Sequence, residues 1–276
     1  MNYKEYFDLC RGEWFADRIP YWAKGKPPIK ITGTRIPNVN NFYNDPARLV
    51  PTDSFGEDYE ASVWSAAVKV FAYFSRNKKE GNMLQYPDIW SLEQELETIC
   101  SYLVPHLEET MYGCHLYVDK VYVYRTTRCE RDSSYIWHYD NNPDVIVKNI
   151  IYLNDVTHDN SPFEYLSKPD GRGYMFKAFR VGPDKWQNAP NGSRVNKEVE
   201  SLISQGHRGT KVTGGQGTAF TFNNNTAHRA NPIIEGYRDV INIRVKPTKK
   251  KIDFLNKKYT SSFEKKGTVD PDPEKI

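Results

Sequence analysis

Residues 116–124 read LYVDKVYVY, a run rich in Val and Tyr in which the apolar period of the chain changes to two. The same period returns in three later segments, which are VKNIIYL at 147–153, GTAFTF at 217–222 and RDVINIRV at 238–245. Each segment is bounded by Gly, Asn, Asp or Pro, the residues that end strands. The sequence therefore predicts a β-rich core that begins near residue 115.

The part of the chain before these strands has a helical period instead. Between Ser91 and Tyr112, apolar residues recur every three or four positions, as they do on the buried face of a helix. Ser91 and Gln94 form a capping-box pair at its start. Helices are also predicted around residues 59–76 and, between two of the strand segments, in an insertion near residues 193–206.

These patterns divide the chain into three parts. Residues 1–114 are predicted to form a helical and looping support region that packs on the core. Residues 115–247 are predicted to form the β core, with the helical insertion near residues 193–206, and residues 248–276 a charged tail. A chain of 276 residues is long enough to bury a sizeable core in one such domain.

Charge and hydropathy exclude several classes of partner. The 38 basic and 35 acidic side chains leave a formal charge of +3, too small to indicate nucleic acid or an acidic membrane as a partner. No apolar run approaches the roughly 20 residues of a membrane-spanning helix, and the first residues are not those of a signal peptide. The four cysteines are widely spaced, which predicts reduced thiols. We expect a soluble, cytoplasmic protein.

Two histidines stand two positions before an acidic residue. In a strand, residues at this spacing share a face, so the two side chains of such a pair can bind one metal ion. His106 and Glu108 fall inside the predicted helix, where residues two apart point to different faces, so this pair is set aside. His138 and Asp140 follow the first strand, and extended backbone puts both on one face. Because the spacing alone is weak evidence, a surface histidine beside a turn aspartate remains the alternative.

The segment at 228–245, HRANPIIEGYRDVINIRV, adds a histidine and an arginine at a defined spacing. It resembles the end of the core in Fe(II)/2-oxoglutarate-dependent oxygenases, most closely the prolyl-4-hydroxylase-like branch. That branch has a metal-ligand histidine, a proline four residues later, a glycine, and an arginine ten residues after the histidine. This sequence has His228, Pro232, Gly236 and Arg238 at those positions.

The upstream part of the core resembles the same family. Residues 131–155 read RDSSYIWHYDNNPDVIVKNIIYLND, which looks like the family's aromatic-x-x-H-x-D motif followed by a strand ending in Tyr-Leu-Asn. Residues 214–228, GGQGTAFTFNNNTAH, resemble the glycine turn and the strand that lead into the second histidine. The resemblance covers roughly residues 115–247, and the N-terminal part of the chain has no counterpart in it.

The resemblance implies a double-stranded β-helix, a cupin-like jelly roll of two facing antiparallel sheets buttressed by the N-terminal helices. It also implies that His138, Asp140 and His228 hold Fe(II), with 2-oxoglutarate as cosubstrate and O2 at the remaining positions. Two imidazoles and one carboxylate are the ligand set typical of non-haem Fe(II) oxygenases, so the chemistry of the side chains agrees with the resemblance.

Four further residues are assigned to the cosubstrate. Arg238 is expected to hold the distal carboxylate of 2-oxoglutarate, for which a guanidinium is a bidentate, permanently charged partner. Arg244, six residues later on the same strand face, is the fallback. In this family the tyrosine at the position of Tyr152 often shares that carboxylate, and Tyr124 lies where an aromatic residue often faces the cosubstrate. Core packing is an equal alternative for Tyr124.

The other candidate residues are interpreted as structural. His158 follows a strand among turn residues and is expected to be solvated, whereas His115 and His207 flank strands. Trp137 is adjacent to His138 in an extended segment, so it is expected to point to the opposite face, into the core.

The expected function is that of a dioxygenase which hydroxylates an unactivated C–H bond of a peptide or protein side chain, or of a small metabolite, and releases succinate and CO2. Two alternatives remain open. One is a non-catalytic jelly-roll module that binds a metal or ligand, and the other is a zinc hydrolase that uses the same three ligands.

Overall fold

The computed structural model describes residues 45–112, 115–129, 133–140, 146–176, 180–182, 185–186, 193–247, 253–258 and 260–262. Much of the predicted support region and most of the predicted tail lie outside the described residues, as do Cys10 and Cys114. Cys100 and Cys129 are free thiols, the first of them buried. The division of the chain into three parts remains a prediction.

Two α-helices form most of the described N-terminal region. Helix α1 spans Glu57–Arg76 and helix α2 spans Glu93–Leu107. A 3-10 turn at Ile89–Leu92 precedes α2, and a π-helical turn at Glu108–Tyr112 follows it. The helical period over this segment is therefore confirmed.

The start of this helical segment differs from the prediction, and the capping box is wrong. The hydroxyl of Ser91 donates to the carbonyl of Asp88, and the carboxylate of Asp88 accepts from the backbone N–H of Trp90. The helical segment therefore begins one turn earlier, on a 3-10 turn whose cap is Asp88.

The strands of the described residues are named in chain order. They are β1 (Ala47–Val50), β2 (Leu84–Gln85), β3 (Leu116–Thr126), β4 (Val147–Tyr152), β5 (Phe163–Ser167), β6 (Arg180–Gly182), β7 (Lys185–Trp186), β8 (Arg208–Val212), β9 (Ala219–Asn223), β10 (His228–Ala230) and β11 (Arg238–Pro247).

Two of the sheets face each other. The large sheet has the order β1-β9-β4-β11-β3-β2, and the small sheet has the order β10-β5-β8. An antiparallel bridge from His138 to His228 extends the small sheet. From β3 onward the chain passes repeatedly from one sheet to the other, with β3, β4, β9 and β11 in the large sheet and His138, β5, β8 and β10 in the small one. This alternation is that of a double-stranded β-helix, and the predicted jelly roll is confirmed.

Aromatic side chains fill the space between the two sheets. The large sheet contributes alternate residues of its central strands, which is the period expected of a strand with one face toward this space. The cluster comprises Tyr122, Tyr124, Ile150, Tyr152, Phe220, Phe222 and Val240 from the large sheet, and Phe163, Tyr165 and Val212 from the small sheet.

The opposite face of the large sheet packs against α1 and α2. Val121 and Val123 of β3 and Ile241 of β11 belong to one buried cluster with apolar residues of both helices. Because both faces of β3 are covered, every residue of this strand is buried. That burial explains why LYVDKVYVY contains only two charged residues, Asp119 and Lys120.

The predicted insertion contains helix α3, which spans Asn196–Ser204. Its Val199 packs with Trp137 and Leu166 in a separate cluster on the small sheet. The insertion therefore supports the sheet that carries the two histidines.

A described part of the predicted tail lies along β3. Phe254 and Leu255 pack against the helical core cluster. The hydroxyl of Thr260 donates to the carbonyl of Val118, and the N–H of Ser261 donates to the carbonyl of Asp119. Within the described part of the chain, none of the helices has the length and apolar content needed to span a membrane.

Candidate metal centre

His138 and His228 lie side by side on neighbouring segments of the small sheet. The N–H of His138 donates to the carbonyl of His228 at 3.0 Å, and the N–H of His228 donates to the carbonyl of His138 at 2.8 Å. Antiparallel residues that exchange both bonds lie directly opposite each other, so their side chains leave the sheet on the same face. The centroids of the two imidazole rings are 4.3 Å apart.

Each imidazole is oriented through its Nδ1 atom. Nδ1 of His138 lies 2.8 Å from the carbonyl oxygen of Ile136, and Nδ1 of His228 lies 2.7 Å from that of Thr226. Because a carbonyl oxygen only accepts, we assign the proton of both rings to Nδ1, which leaves the lone pair on Nε2. Such contacts fix the orientation of metal-binding histidines.

Both histidines are held in the neutral form. Burial, together with the neighbouring His138, lowers the pKa of His228 to about 3. The ring of His228 lies against Phe163 and Phe222, with centroid distances of 5.4 and 5.0 Å. Burial also lowers the pKa of His138, although Asp140 opposes this effect. Neutral imidazole is the form that binds a metal ion.

Asp140 supplies a carboxylate beside the two rings. Its N–H donates to the carbonyl of Asn224 at 2.9 Å, and its Oδ2 accepts from Nζ of Lys148 at 2.6 Å. Burial alone would raise the pKa of the Asp140 carboxyl, but the charge of Lys148 and the two nearby histidines hold it well below its ordinary value. Asp140 is therefore ionised at neutral pH.

The three side chains fit a divalent metal ion. One ligand atom each from His138, Asp140 and His228 can be chosen so that all lie within 4.8 Å of one another. Two Nε2 lone pairs and one carboxylate oxygen form the 2-His-1-carboxylate set, which suits Fe(II) and leaves positions open for other ligands. The three predicted ligands are therefore brought together.

Arg238 is buried at the start of β11, with 4% of its surface exposed. Its Nη1 donates to the carbonyl of Ser161, whereas its Nε and the hydroxyl of Ser161 are both buried without a hydrogen-bond partner. Among the described residues, no carboxylate forms an ion pair with Arg238. A buried guanidinium without an anion is unfavourable, so this arrangement suits a bound carboxylate.

Arg238 and the histidines face the same interior. Val240 belongs to the cluster between the sheets, and residues two apart on a strand share a face, so Arg238 points the same way. The contact residue Ser161 lies two positions before Phe163, whose ring packs on His228. Ser161 and Phe163 thus connect the surroundings of Arg238 to those of His228.

The predicted tyrosines have other contacts. Tyr152 and Tyr124 are both buried in the cluster between the sheets. The hydroxyl of Tyr152 donates to the carbonyl of Val212 at 2.8 Å, and burial raises its pKa to about 12. The predicted role of Tyr152 as a donor to the cosubstrate would require this hydrogen bond to break.

Arg244 is engaged with Asp119. Its Nε lies 3.0 Å from both carboxylate oxygens of Asp119, and its Nη2 donates to Oδ2 at 2.5 Å. Lys246 is a second cation, 3.1 Å from the same carboxylate. Of the two arginines in β11, Arg238 is therefore the one whose guanidinium has no acidic partner among the described residues.

The residues interpreted as structural lie away from the ligand set. His158 is exposed, as predicted. His106 and Glu108 fall in helical turns, and Oε1 of Glu108 accepts from the backbone N–H of Leu116. Trp137 is buried in the cluster around α3, and the guanidinium of Arg229 lies 4.5 Å over its ring. It points away from the ligands, as predicted.

The sequence analysis did not identify two residues of this region, Lys148 and Ser161. Lys148 stands in β4, where the only signal was a lysine two positions from Ile146 and from Ile150. Ser161 has a φ of 64°, a left-handed backbone that is uncommon for serine and cannot be read from the sequence.

Comparison with family models and with curated protein sequences gives no match. Solved structures of similar fold include HygX from Streptomyces hygroscopicus with nickel and 2-oxoglutarate bound, with 16% identity, a TM-score of 0.49, and coverage of 75% of this chain and 85% of that chain. EctD from S. alaskensis with bound Fe has 15% identity and a TM-score of 0.47, covering 75% of this chain and 74% of that chain. SnoN, a non-heme alpha ketoglutarate dependent epimerase from nogalamycin biosynthesis, has 12% identity and a TM-score of 0.46. The match covers 75% of this chain and 80% of that chain.

Proposed function

We propose that this protein is a non-haem Fe(II)- and 2-oxoglutarate-dependent dioxygenase that hydroxylates an unactivated C–H bond. One observation carries the proposal: a 2-His-1-carboxylate set and a buried arginine with no described acidic partner face the same interior. A structural metal site has no need of Arg238.

The protein's own residues would bind the metal and orient its ligands. Nε2 of His138, Nε2 of His228 and a carboxylate oxygen of Asp140 would bind Fe(II), which would supply the chemistry of O2 activation coupled to decarboxylation of 2-oxoglutarate. The carbonyls of Ile136 and Thr226 hold the two rings in the required orientation. Aromatic side chains between the sheets exclude water from this space.

Arg238 would bind the distal carboxylate of 2-oxoglutarate. A guanidinium can donate two parallel hydrogen bonds to a carboxylate, and Nε is the donor that has no partner. The buried hydroxyl of Ser161 is a further donor at the same place. This arrangement would hold one end of the cosubstrate and leave its keto acid end free to bind the metal.

The substrate class is also part of the proposal. A peptide or protein side chain, or a small metabolite, would approach the metal beside Lys148 and Asp140, whose side chains are partly exposed, at 19% and 21%. The net charge of +3 supports neither nucleic acid nor an acidic membrane as the partner.

An anaerobic titration tests the proposed function. Fe(II) is added to the metal-free protein, followed by 2-oxoglutarate, and the visible spectrum is recorded. We expect a weak charge-transfer band that requires both components and does not form with Zn(II). Admission of air with candidate substrates should then release succinate, with an oxygenated product detected by mass.

The same titration separates the alternatives. A protein that binds Fe(II) but shows neither the band nor measurable affinity for 2-oxoglutarate would be a metal-binding module. Ester or amide hydrolysis that depends on Zn(II) and is insensitive to 2-oxoglutarate would identify the hydrolase instead. Either result would overturn the proposal.

A further inference from the structure

Lys148 occupies an unusual position for a lysine. It stands in β4 on the same face as Ile150 and Tyr152, both of which are buried between the two sheets. The pattern of the strand calls for an apolar residue there, and a lysine in a sheet interior needs a charged partner. A departure from the local pattern that carries its own partner is typical of a functional position.

The partner of Lys148 is the predicted metal ligand Asp140. Nζ of Lys148 lies 2.6 Å from Oδ2 of Asp140. On the adjacent strand β11, Lys148 pairs with Arg244, whose guanidinium is bound to Asp119. The carboxylate of Asp140 is therefore the anion in contact with Lys148 among the described residues.

The contact leaves Asp140 with one oxygen for a metal. The backbone of Asp140 is fixed by its N–H bond to Asn224 at 2.9 Å, and Oδ2 is engaged with an ammonium group. We propose that Lys148 is a positioning residue that holds Oδ2 of Asp140, so that Oδ1 alone is presented to the metal. This inference rests on the function proposed above.

The number of oxygens presented decides how many metal positions stay open. Three protein ligands leave three positions of an octahedral ion, and 2-oxoglutarate with O2 requires all three. A carboxylate that turned both oxygens to the metal would take one of them. The two positions left would suffice for 2-oxoglutarate but not for O2 as well. Lys148 therefore keeps the third position open, at the cost of placing a positive charge near a dication.

Lysine variants test this inference in the full chain. Lys148→Met keeps the length of the side chain and removes its charge, whereas Lys148→Arg keeps the charge. The matched control is Lys69→Met, because Lys69 forms a 2.5 Å pair with Glu95 in the helical layer, away from the ligand set. Mn(II) replaces Fe(II) as a stable probe, and its affinity and that of 2-oxoglutarate for the Mn(II) protein are measured by calorimetry.

We expect Lys148→Met to bind Mn(II) about threefold or more tighter, because the repulsion between the ammonium and the metal is removed. With 2-oxoglutarate bound, wild type should keep one water on Mn(II) and Lys148→Met should keep none, as measured by water-proton relaxation, because the second oxygen of Asp140 would take the third open position. Lys148→Arg and Lys69→Met should stay near wild type in both measurements. Infrared difference spectra should show a smaller splitting of the carboxylate stretching bands in Lys148→Met, the signature of two-oxygen binding.

Three results would overturn the inference. The first is a water that remains on Mn(II) in Lys148→Met with 2-oxoglutarate bound, and the second is an unchanged carboxylate splitting. The third is weaker Mn(II) binding with a lower melting temperature, which would make Lys148 a structural ion-pair partner. In each case wild type still binds both ligands and the proposed function stands. A wild-type protein that binds neither Mn(II) nor 2-oxoglutarate would instead overturn the proposed function and this inference with it.

Discussion

His138 and His228 are joined by a reciprocal pair of backbone hydrogen bonds, of 3.0 and 2.8 Å, although they come from distant segments of the chain. Loss of either imidazole should therefore remove a ligand and leave the sheet paired. We expect His138→Ala and His228→Ala to lower metal affinity by more than about 100-fold, since even outer partners of metal ligands cost 10- to 100-fold. Calorimetry with Mn(II) and succinate release measure the effect. His158→Ala, at an exposed histidine, is the control, and near-normal succinate release in either ligand variant would contradict the assignment.

Arg238 and Arg244 should respond differently to substitution. Arg238→Ala removes the guanidinium that has no described acidic partner, so the concentration of 2-oxoglutarate required for half-maximal turnover should rise about tenfold or more. Arg244→Ala removes the bidentate partner of the buried Asp119, and should lower the free energy of unfolding by about 3 kcal/mol. Kinetics and chemical denaturation of both variants separate the two roles. A rise in the 2-oxoglutarate requirement for Arg244→Ala alone would reverse the assignment.

The stability of the metal-free protein should depend on pH through His228. Its pKa is lowered to about 3 in the folded protein, from 6.5. The folded state therefore resists protonation, so the contribution of His228 to stability is complete above pH 6.5 and is lost as the pH falls toward 3. The control is His228→Asn, which can keep a donor to the carbonyl of Thr226. Between pH 6 and 4, the free energy of unfolding of wild type should fall by up to about 1.4 kcal/mol more per pH unit than that of this variant. If the free energy of unfolding, measured by urea denaturation, depends equally on pH in the two proteins, this prediction is wrong.

Gly209 is required by the side chain of Glu164. A Cβ atom at Gly209 would lie 2.1 Å from Oε1 of Glu164, whose other oxygen accepts from Nε of Arg229 at 2.7 Å. Glu164 is buried and cannot easily move away, so Gly209→Ala should destabilise the protein by about 1–3 kcal/mol. Thermal denaturation measures this loss. In a protein that already carries Glu164→Ala, Gly209→Ala should lower the stability only slightly. An equal loss of stability there would exclude the clash with Glu164 as the cause.

The large sheet could be predicted from the sequence because its central strands follow an apolar period of two. The small sheet gave little signal: β8 is mostly exposed, and β10 has only three residues, Arg229 and Ala230 following His228. Such short strands are specified by their neighbours in the sheet and not by their own period. The crossing of the chain between sheets was inferred only through resemblance.

In the candidate site, His138, Asp140, His228 and Arg238 could be predicted because each lies in a motif of local offsets that resembles a known family, although the spacing of His138 and Asp140 was weak evidence by itself. The contact of Lys148 with Asp140 depends on which residues of β4 face inward and on the path of the segment before it. Neither can be read from the sequence. The hydrogen bond of Tyr152 to Val212 likewise depends on contact between two sheets.

The passage of the chain from one sheet to the other also determines when the proposed metal site can form. Arg238 contacts Ser161 from 77 residues away, and the bond between His138 and His228 closes a similar loop. Closing loops of this length costs chain entropy before the contacts can form, so we expect the proposed metal ligands to come together only in the folded core. Cells starved of iron should therefore accumulate folded, inactive protein, and restoring iron should recover its activity without new synthesis.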